Sequence, residues 1–461
     1  MRLTHSRLVR ALAAFTALST VMLTRGAADD TDAEIKALRA QIQLLDQRLH
    51  ELETKQRLKE QQDAAAAKTA SRVTVSDKGF SLASADGASA IRFGGLVQLD
   101  SRLYFGDGGG VYNNSFVLRR ARLISEGTLG RIYSFQIIPE LGGSSVSMLD
   151  ANFTIAPSSA LQFKIGRFKE PVGLELLQSD SATFFAERSL VSDLVPNRDL
   201  GVQVGGTFGD GRITYALGVF NGVPDAANTS NVDFDNDKDA VGRVFAQPFK
   251  NDKNSSWRGL GLGVAGSFGR QKGAAAVTAG YKTEGQQTFF KYNSSVVADG
   301  PTWRLSPQAY YYNGAFGALG EYAVSAVNVR SSATGAKAGL AHRAWQLVTG
   351  YVLTGEEASF SSLAPRQPFS WENGTWGAWQ IVARYSNLKL DPNTFPLFAS
   401  PTTNAGEAFA ASLGINWYLS GTVRTSLDYF QTHFDLPASP SSTQILRQDE
   451  KVLLSRLQLS F

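Results

Sequence analysis

The chain has 461 residues, no cysteine and four histidines, and its formal net charge at pH 7 is +4. The lack of cysteine excludes a disulfide scaffold, a thiolate metal site and a cysteine nucleophile. Residues 1–28 carry a net charge of +4, residues 29–71 a net charge of −2 and residues 72–461 a net charge of +2. Because the basic excess belongs mainly to the first 28 residues, we expect no nucleic-acid partner.

The first 28 residues have the pattern of a secretory signal peptide. Four arginines and no acidic residue accompany an apolar run over residues 11–23, and small residues at 26–28 precede a cleavage site after Ala28. The alternative is a membrane anchor, but the run is short for a hydrocarbon core of about 30 Å. We therefore predict an exported protein.

Residues 29–60 have the spacing of a coiled-coil helix, and residues 61–79 read as a linker. The apolar positions that alternate at three and four residues are Ile35, Leu38, Ile42, Leu45, Leu49 and Leu52. Charged residues separate them, as in a heptad seam. Fewer than three heptads are marginal on their own. The segment is therefore either a short periplasmic coiled coil of an oligomer or a lone solvated helix.

From about residue 72 onward, apolar and polar residues alternate with a period of two. Clear examples are residues 91–101, 379–385, 423–429 and 457–461. Segments of about ten residues with one apolar face are typical of transmembrane strands. No stretch after residue 28 contains 18 consecutive apolar residues, which excludes membrane-spanning helices.

A sheet that crosses a bilayer must close, because every backbone N–H and C=O needs a partner where water is absent. We therefore predict an all-β membrane domain over residues 80–461. At about 24 residues for each strand and its connection, this length gives a 16-stranded antiparallel transmembrane β-barrel. The terminal Phe461 on an alternating strand predicts recognition by the barrel-assembly machinery.

The connections between strands divide into short and long ones. Residues 209–211, 313–314 and 420–421 are glycine-containing tight turns, which we assign to the periplasmic end. Long polar stretches are predicted as outer loops: residues 221–239, 284–301, 359–375 and 437–449. The first contains four alternating aspartates, but it lacks the glycine of a calcium loop and is better interpreted as a solvated loop.

One long connection, residues 169–199, is apolar. It contains eight large apolar residues: Leu174, Leu176, Leu177, Phe184, Phe185, Leu190, Leu194 and Val195. A loop of this composition must be buried, and the free volume of a barrel is its lumen. We therefore predict an inward-folded constriction loop; the alternatives are a subunit contact or a surface loop.

Segments spread over most of the barrel resemble a known family. They are Phe116–Leu123 followed by Glu126-Gly127, Gly166–Glu175, Phe185–Leu190, Asn197–Val202, Leu353–Glu356, Gly377–Tyr385 and Leu413–Tyr418. Together they are similar to the phosphate-selective porin O/P family. The resemblance implies a sixteen-stranded barrel, a homotrimer and an anion-preferring channel with a wall of arginines. Residues 178–181 lack the lysine of phosphate-selective relatives and contain Asp180 instead.

The candidate pore-lining and anion-binding residues are basic. Strand alternation gives Arg92, Arg102, Arg120, Arg122, Lys164, Arg384, Arg424 and Arg456. Lys169, Arg188 and Arg198 belong to the apolar loop or its ends, and the resemblance adds Arg119. Since successive strand residues face opposite sides, we expect Arg120 rather than Arg119 to point inward. Each could also be an ordinary lumen charge paired with a carboxylate such as Glu187.

These features predict an outer-membrane porin in the bacterial cell envelope, surrounded by lipid. It would pass small solutes, with phosphate and polyphosphate as the leading anion candidates. The alternatives are a general or organic-solute porin with little selectivity, and an adhesive or structural barrel. We expect no enzyme activity, because neither His342 nor His433 lies in a recognisable serine motif. No metal or cofactor is expected.

Overall fold

The computed structural model describes residues 28–69, 71–76, 79–106, 112–229, 232–277, 280–437 and 448–461. The predicted signal peptide lies outside the described residues except for Ala28, as do most residues of the predicted outer loop 437–449. The chain divides into two units, residues 1–70 and residues 71–461. No helix within the described residues is long and apolar enough to cross a membrane.

The first unit contains helix α1 (Ala28–Thr69). The predicted linker is therefore wrong for residues 61–69, since the four alanines at 64–67 are the strongest helix formers and extend the helix. The apolar seam described above is exposed along its whole length, from 49% of Ile35 to 66% of Leu52. Pairing of this seam with other chains stays a prediction.

The second unit begins with a short hairpin and continues into the barrel. Strands β1 (Arg72–Ser76) and β2 (Gly79–Ala83) form the hairpin, and β2 pairs with the first barrel strand. The linker prediction is therefore wrong for residues 72–76 as well. The following strands and the one α-helix are β3 (Ala90–Phe105), β4 (Ser115–Leu129), β5 (Tyr133–Glu140), β6 (Ser147–Ser158), β7 (Leu161–Lys169), α2 (Leu174–Leu177), β8 (Arg198–Phe208), β9 (Ile213–Phe220), β10 (Asp239–Ala246), β11 (Leu260–Gly273), β12 (Tyr281–Lys282), β13 (Thr288–Phe290), β14 (Val296–Asn313), β15 (Phe316–Ser331), β16 (Lys337–Val352), β17 (Ala378–Lys389), β18 (Glu407–Tyr418), β19 (Val423–Asp435) and β20 (Glu450–Ser460). Single turns of 3-10 helix occupy Leu190–Leu194, Ala275–Val277 and Pro392–Thr394.

Sixteen of these strands form one closed antiparallel barrel in the described part of the chain. Each of β3 to β11 and β14 to β20 pairs with its neighbour in sequence, and β11 pairs with β14. The barrel closes where β20 pairs with β3, with Leu457 opposite Leu99. Strands β12 and β13 form a separate two-stranded sheet. The predicted sixteen-stranded antiparallel barrel is confirmed.

The alternation of side chains along the strands sets the two faces of the wall. In β16, His342 and Gln346 point inward and are buried, whereas Trp345 and Leu347 are exposed on the outside. An apolar outer face is stable against hydrocarbon, and polar side chains can be hydrogen-bonded in the interior.

The tight turns lie at one end of the barrel. Asp210 and Gly211 adopt φ values of 56° and 80° in one of them, a conformation typical of two-residue hairpins. Residues 353–377 lie at the same end, since the Ala358 N–H donates to the Gly314 carbonyl oxygen at 2.8 Å. The prediction of residues 359–375 as an outer loop is therefore wrong. The end of the barrel at which a loop lies depends on the direction of the strands that it connects. The length of the loop does not reveal that direction.

The connection between β11 and β14 also differs from its prediction as an outer loop over residues 284–301. Strand β14 already begins at Val296, and the hairpin β12–β13 is buried in the same apolar cluster as Leu388 and Phe434 of the wall. Phe289 and Phe290 are completely covered. Burial of each of these rings stabilises the fold by about 1.5–3 kcal/mol. This gain outweighs the cost of taking the polar residues of the segment out of water.

Candidate functional site

The connection between β7 and β8, residues 170–197, lies inside the barrel. The Leu174 N–H donates to Glu321 Oε1 of β15 at 2.7 Å. The Ala186 N–H donates to Asp428 Oδ2 of β19 at 2.8 Å. Because these strands lie across the lumen from β7, the loop narrows the interior. We call this segment the constriction loop.

Apolar side chains fix the constriction loop to the far wall. Phe185 is fully buried with its ring centroid 5.8 Å from that of Phe430 in β19. The guanidinium group of Arg384 lies over the Phe185 ring, 4.5 Å from the ring centroid. Leu190 and Leu194 are also fully covered. Each large apolar side chain contributes about 1.5–3 kcal/mol on burial.

Arg384 and Arg424 lie beneath this loop rather than along an open passage. Arg384 Nη1 is 3.2 Å from Glu175 Oε1 and its Nη2 is 2.8 Å from Glu284 Oε2. Arg424 Nη1 donates to the Thr183 carbonyl oxygen at 2.9 Å. Both arginines are at most 3% exposed. Alternation placed them correctly on the inner face, but the expectation that they line the passage is wrong because the loop covers them.

Three further candidates each have a structural partner. Lys169 Nζ donates to the carbonyl oxygens of Leu176 and Gln178 at 2.6 and 2.9 Å. These hydrogen bonds hold the first part of the constriction loop against the end of β7. Lys164 Nζ lies 4.5 Å from the Phe168 ring centroid. Arg92 pairs with Glu126 at 2.6 Å near the tight-turn end. None of these three borders the cavity described next.

A cavity of about 740 Å³ separates the constriction loop from the wall formed by β3 to β6. Six sequence candidates line it: Arg102, Arg119, Arg120, Arg122, Arg188 and Arg198. A seventh basic residue, Lys282, also lines it, together with four acidic residues: Glu140, Asp180, Glu187 and Asp193. The lining therefore has three more formal positive charges than negative ones.

A β-bulge brings two successive arginines into this cavity. Gln98 of β3 pairs with Arg120, and the next residue, Leu99, pairs with Leu118, so Arg119 is the extra residue of the bulge. The expectation that only Arg120 points inward is therefore wrong. A bulge interrupts strict alternation and redirects one side chain.

Glu187 of the constriction loop pairs with arginines of the wall. Arg119 donates from Nε and Nη2 to its two carboxylate oxygens at 2.6 and 3.0 Å. The fully buried Arg456 donates to the same carboxylate at 2.9 Å and also pairs with Asp100. Burial alone would raise the pKa of Glu187, but the charges of Arg119 and Arg456 hold that pKa well below its usual range.

Asp180 lies among three other arginines of the cavity. Its Oδ1 is 2.5 Å from Arg188 Nη1 and 3.4 Å from Arg120 Nη2, and its Oδ2 accepts from Arg122. Burial opposes ionisation of Asp180, yet the neighbouring guanidinium groups hold its pKa well below the usual range. Asp180 and Glu187 thus neutralise part of the basic wall.

Lys282 was not among the sequence candidates. It belongs to the hairpin β12–β13, and its backbone N–H donates to Asp193 Oδ2 of the constriction loop at 3.0 Å. Burial raises the pKa of Asp193 well above its usual value, although this hydrogen bond opposes the effect. Sequence analysis missed Lys282 because the hairpin was expected outside the barrel. The aromatic residues near Lys282 in the sequence could have indicated that its hairpin is buried.

A separate buried cluster lies next to the cavity. Arg304 of β14 is 2.6 Å from Asp225 Oδ1 and 3.4 Å from Asp239 Oδ2. Glu170 is completely buried, and neither of its carboxylate oxygens has a hydrogen-bond partner among the described residues. Burial and then the nearby Asp199 carboxylate raise the pKa of Glu170 well above its usual value. The alternation of side chains along β14 could have identified Arg304 as an inward-facing residue.

The acidic run of the β9–β10 connection forms ion pairs with lysines. Lys238 lies 2.6 Å from Asp233, and Lys272 lies 2.9 Å from Asp237. Within the described residues, no group of three or more acidic or histidine side chains is arranged to hold a metal ion.

Comparison with known proteins gives concordant matches. A family profile described as phosphate-selective porin O and P matches residues 91–461. Porin O of Pseudomonas aeruginosa is 25% identical over 403 residues, which cover 77% of this chain and 86% of the relative. The outer membrane channel DcaP of Acinetobacter baumannii has a TM-score of 0.54 at 11% identity, covering 84% of this chain and 99% of that protein. The last match concerns the fold alone.

Proposed function

The chain belongs to the family of phosphate-selective porins O and P and is an outer-membrane channel rather than an enzyme; from this premise we propose that it passes small anions in preference to cations. The observation that carries the proposal is the excess of three positive charges around the cavity. In a narrow passage, guanidinium and ammonium groups replace the hydration shell that an anion loses. Several weak sites also allow the ion to leave again.

Arginine suits oxyanions in particular, because its planar fork can donate to two oxygens at once. Arg119 is the most accessible of the wall arginines that pair with the loop, with 28% of its side chain exposed against 7% for Arg120 and 10% for Arg122. We therefore assign the first contact with a passing anion to Arg119. Arg188, Arg198 and Lys282 complete the basic lining.

Phosphate and polyphosphate are the anions we propose as substrates, on the strength of the family to which the chain belongs. One observation favours a second candidate, a general porin with little selectivity. The carboxylates of Asp180 and Glu187 lie directly between arginines and reduce their effective charge. Selectivity measurements decide between these two functions.

We also propose that the barrel forms a homotrimer and that three copies of α1 pair in the periplasm through the seam of residues 35–52. The support is the continuous exposure of six large apolar residues in a heptad pattern. Recognition of Phe461 by the barrel-assembly machinery stays a prediction. Within the barrel, the Phe461 N–H donates to the Gly95 carbonyl oxygen at 3.1 Å.

Planar-bilayer recording tests the main proposal. The purified full chain is inserted under a KCl gradient, and the sign of the reversal potential reports whether chloride or potassium passes more easily. We expect chloride preference and conductance steps of a trimer. A reversal potential near zero would favour the general porin, and the absence of any conductance would favour an adhesive barrel.

A further inference from the structure

Three guanidinium groups from two separate elements converge on the single carboxylate of Asp180. Arg120 and Arg122 come from β4, and Arg188 comes from the returning half of the constriction loop. Each of these arginines is at most 13% exposed in its side chain, and Asp180 is 3% exposed. All four residues border the cavity of the proposed passage. A buried carboxylate with three arginine partners has the surroundings of a bound oxyanion.

The three arginines are also fixed by groups other than Asp180. Arg120 Nη1 donates to Gln98 Oε1 at 2.6 Å. Arg122 Nε donates to Glu140 Oε2 at 2.7 Å. Arg188 donates to the carbonyl oxygens of the constriction loop, among them that of Gln178 at 3.0 Å. The positions of the guanidinium groups therefore do not depend on Asp180 alone.

One donor of this cluster has no partner. Arg120 is 6% exposed, and its Nε makes no hydrogen bond among the described residues. Since this buried donor is unsatisfied, the cluster has more donor capacity than one carboxylate uses. A tetrahedral oxyanion with additional acceptor oxygens fits such a surplus better than the two oxygens of Asp180.

The backbone carbonyl groups of Asp180 and Ser181 are anchored independently of the Asp180 side chain. Gln98 Nε2 donates to the Asp180 carbonyl oxygen at 3.0 Å, and Gln458 Nε2 donates to that of Ser181 at 3.1 Å. The Ser179 and Ser181 hydroxyl groups are 2.9 Å apart. A change of the Asp180 side chain should therefore leave the course of the loop intact.

We propose that Arg120, Arg122 and Arg188 form a preformed oxyanion site in the passage, and that Asp180 is its internal occupant and competes with phosphate for it. This inference rests on the proposed function, because the site lies in the anion passage. Asp180 weakens phosphate binding in two ways: it fills the position between the three guanidinium groups, and it lowers their joint positive charge. Weak binding permits rapid release of the ion.

The test uses full-length porin in planar bilayers, with inorganic phosphate as the probe and block of the chloride current as the readout. Asp180→Ala removes both the occupant and its charge. We expect the half-blocking phosphate concentration to fall at least about tenfold, equivalent to about 1.4 kcal/mol. Asp180→Asn removes the charge but keeps the volume, so it should produce a smaller decrease. Heat-dependent migration of the folded barrel in detergent verifies that each variant is assembled.

Glu126→Gln is the matched control. It also removes one negative charge and the partner of an arginine, Arg92, but neither residue lines the cavity, and Asp180 stays in place. We expect less than about a twofold change in phosphate block, as for a partly screened charge. An equal effect of Glu126→Gln and Asp180→Ala would overturn the site, because charge alone would then explain the gain.

The failure of this inference is distinguishable from failure of the proposed function. If the unaltered protein prefers chloride over potassium and folded Asp180→Ala shows no stronger phosphate block, the oxyanion site is wrong while the anion porin stands. If the unaltered protein shows no anion preference, the porin proposal fails, but phosphate binding to Asp180→Ala in detergent, measured by calorimetry, still supports or refutes the site.

Discussion

Arg119 and Glu187 are joined by two parallel hydrogen bonds, from Nε at 2.6 Å and from Nη2 at 3.0 Å. Arg119 is the extra residue of a β-bulge in the wall, and Glu187 belongs to the constriction loop that faces it. The pair therefore bridges the two sides of the passage. Because its arginine remains partly exposed while its carboxylate is buried, the pair presents mainly positive charge to a passing ion.

Replacing Arg119 should weaken anion preference. Arg119→Gln removes the most accessible of the wall arginines that pair with the loop, whereas Glu187 keeps its second partner, Arg456, at 2.9 Å. We expect the chloride-to-potassium permeability ratio to fall about two- to threefold, in line with about 0.5 kcal/mol for a partly exposed charge. The reversal potential in a KCl gradient measures this change.

Arg92→Gln is the control for this substitution. Arg92 also has a carboxylate partner, Glu126, but does not line the cavity. Its replacement should leave the permeability ratio within about 20% of the original, because Arg92 does not line the cavity and salt screens an exposed charge. If both variants shift the reversal potential equally, selectivity is not set at the cavity.

Alternation along the strands predicted the barrel and the inward direction of Arg120 and Arg122, because a period of two directly fixes the two faces of a wall. The same rule failed for Arg119, since a bulge depends on pairing with β3 and leaves no signature in β4 alone. Arg384 points inward as predicted, but only the folded loop reveals that it is covered. Lys282 was missed because burial of its hairpin is a tertiary property.

Arg384 should be needed to keep the constriction loop in place. Arg384→Met leaves the buried carboxylates of Glu175 and Glu284 without their guanidinium partner. Breaking a buried ion pair in this way costs about 3–5 kcal/mol. We expect the loop to leave the wall part of the time while the strand pairing of the barrel persists. Larger, noisier conductance and new protease cleavage within residues 170–197 would be observed.

Arg343→Met provides the comparison, since Arg343 is an exposed residue of β16 whose neighbours in the strand, His342 and Ala344, point inward. It removes the same charge without touching the loop. Quiet conductance and unchanged proteolysis are expected for this variant. If Arg384→Met behaves in the same way, the apolar contacts of Phe185 alone are sufficient to hold the loop.

Glu170 should make the folded state less stable at alkaline pH. Its pKa is raised well above the usual value by burial and then by Asp199. The folded state thus retains a proton that the unfolded chain has lost, so stability is greatest below the ordinary carboxyl pKa and declines as pH rises through the raised pKa. Glu170→Gln is neutral at every pH and should remove this part of the decline.

The temperature at which the barrel unfolds in detergent, measured between about pH 5 and pH 9, tests this effect. Glu372→Gln, in an exposed position, should reproduce the profile of the unaltered protein. Asp193 contributes a decline of the same sign, since its pKa is also raised. Identical alkaline profiles for Glu170→Gln and the unaltered protein would show that Glu170 does not retain a proton in the folded barrel.

The exposed seam of α1 should contribute to the stability of the proposed trimer. Leu45 and Leu49 are exposed by 62% and 54% in the single chain, and burial in a coiled coil would yield about 1.5–3 kcal/mol for each leucine. Leu45→Asp with Leu49→Asp should therefore lower the temperature at which trimers dissociate in detergent electrophoresis. Single-barrel unfolding should not change, because α1 and the barrel are separate units.

Arg48→Asp with Gln47→Asp is the control, since both side chains lie outside the apolar seam of the same helix. It introduces the same two acids and also removes one positive charge, but it leaves the heptad contacts in place, so trimers should dissociate at nearly the same temperature as in the unaltered protein. Equal dissociation temperatures for the seam variant and the unaltered protein would contradict the coiled coil. The leucines of α1 would then require another apolar partner in the periplasm, because six exposed large apolar residues in one row are unfavourable in water.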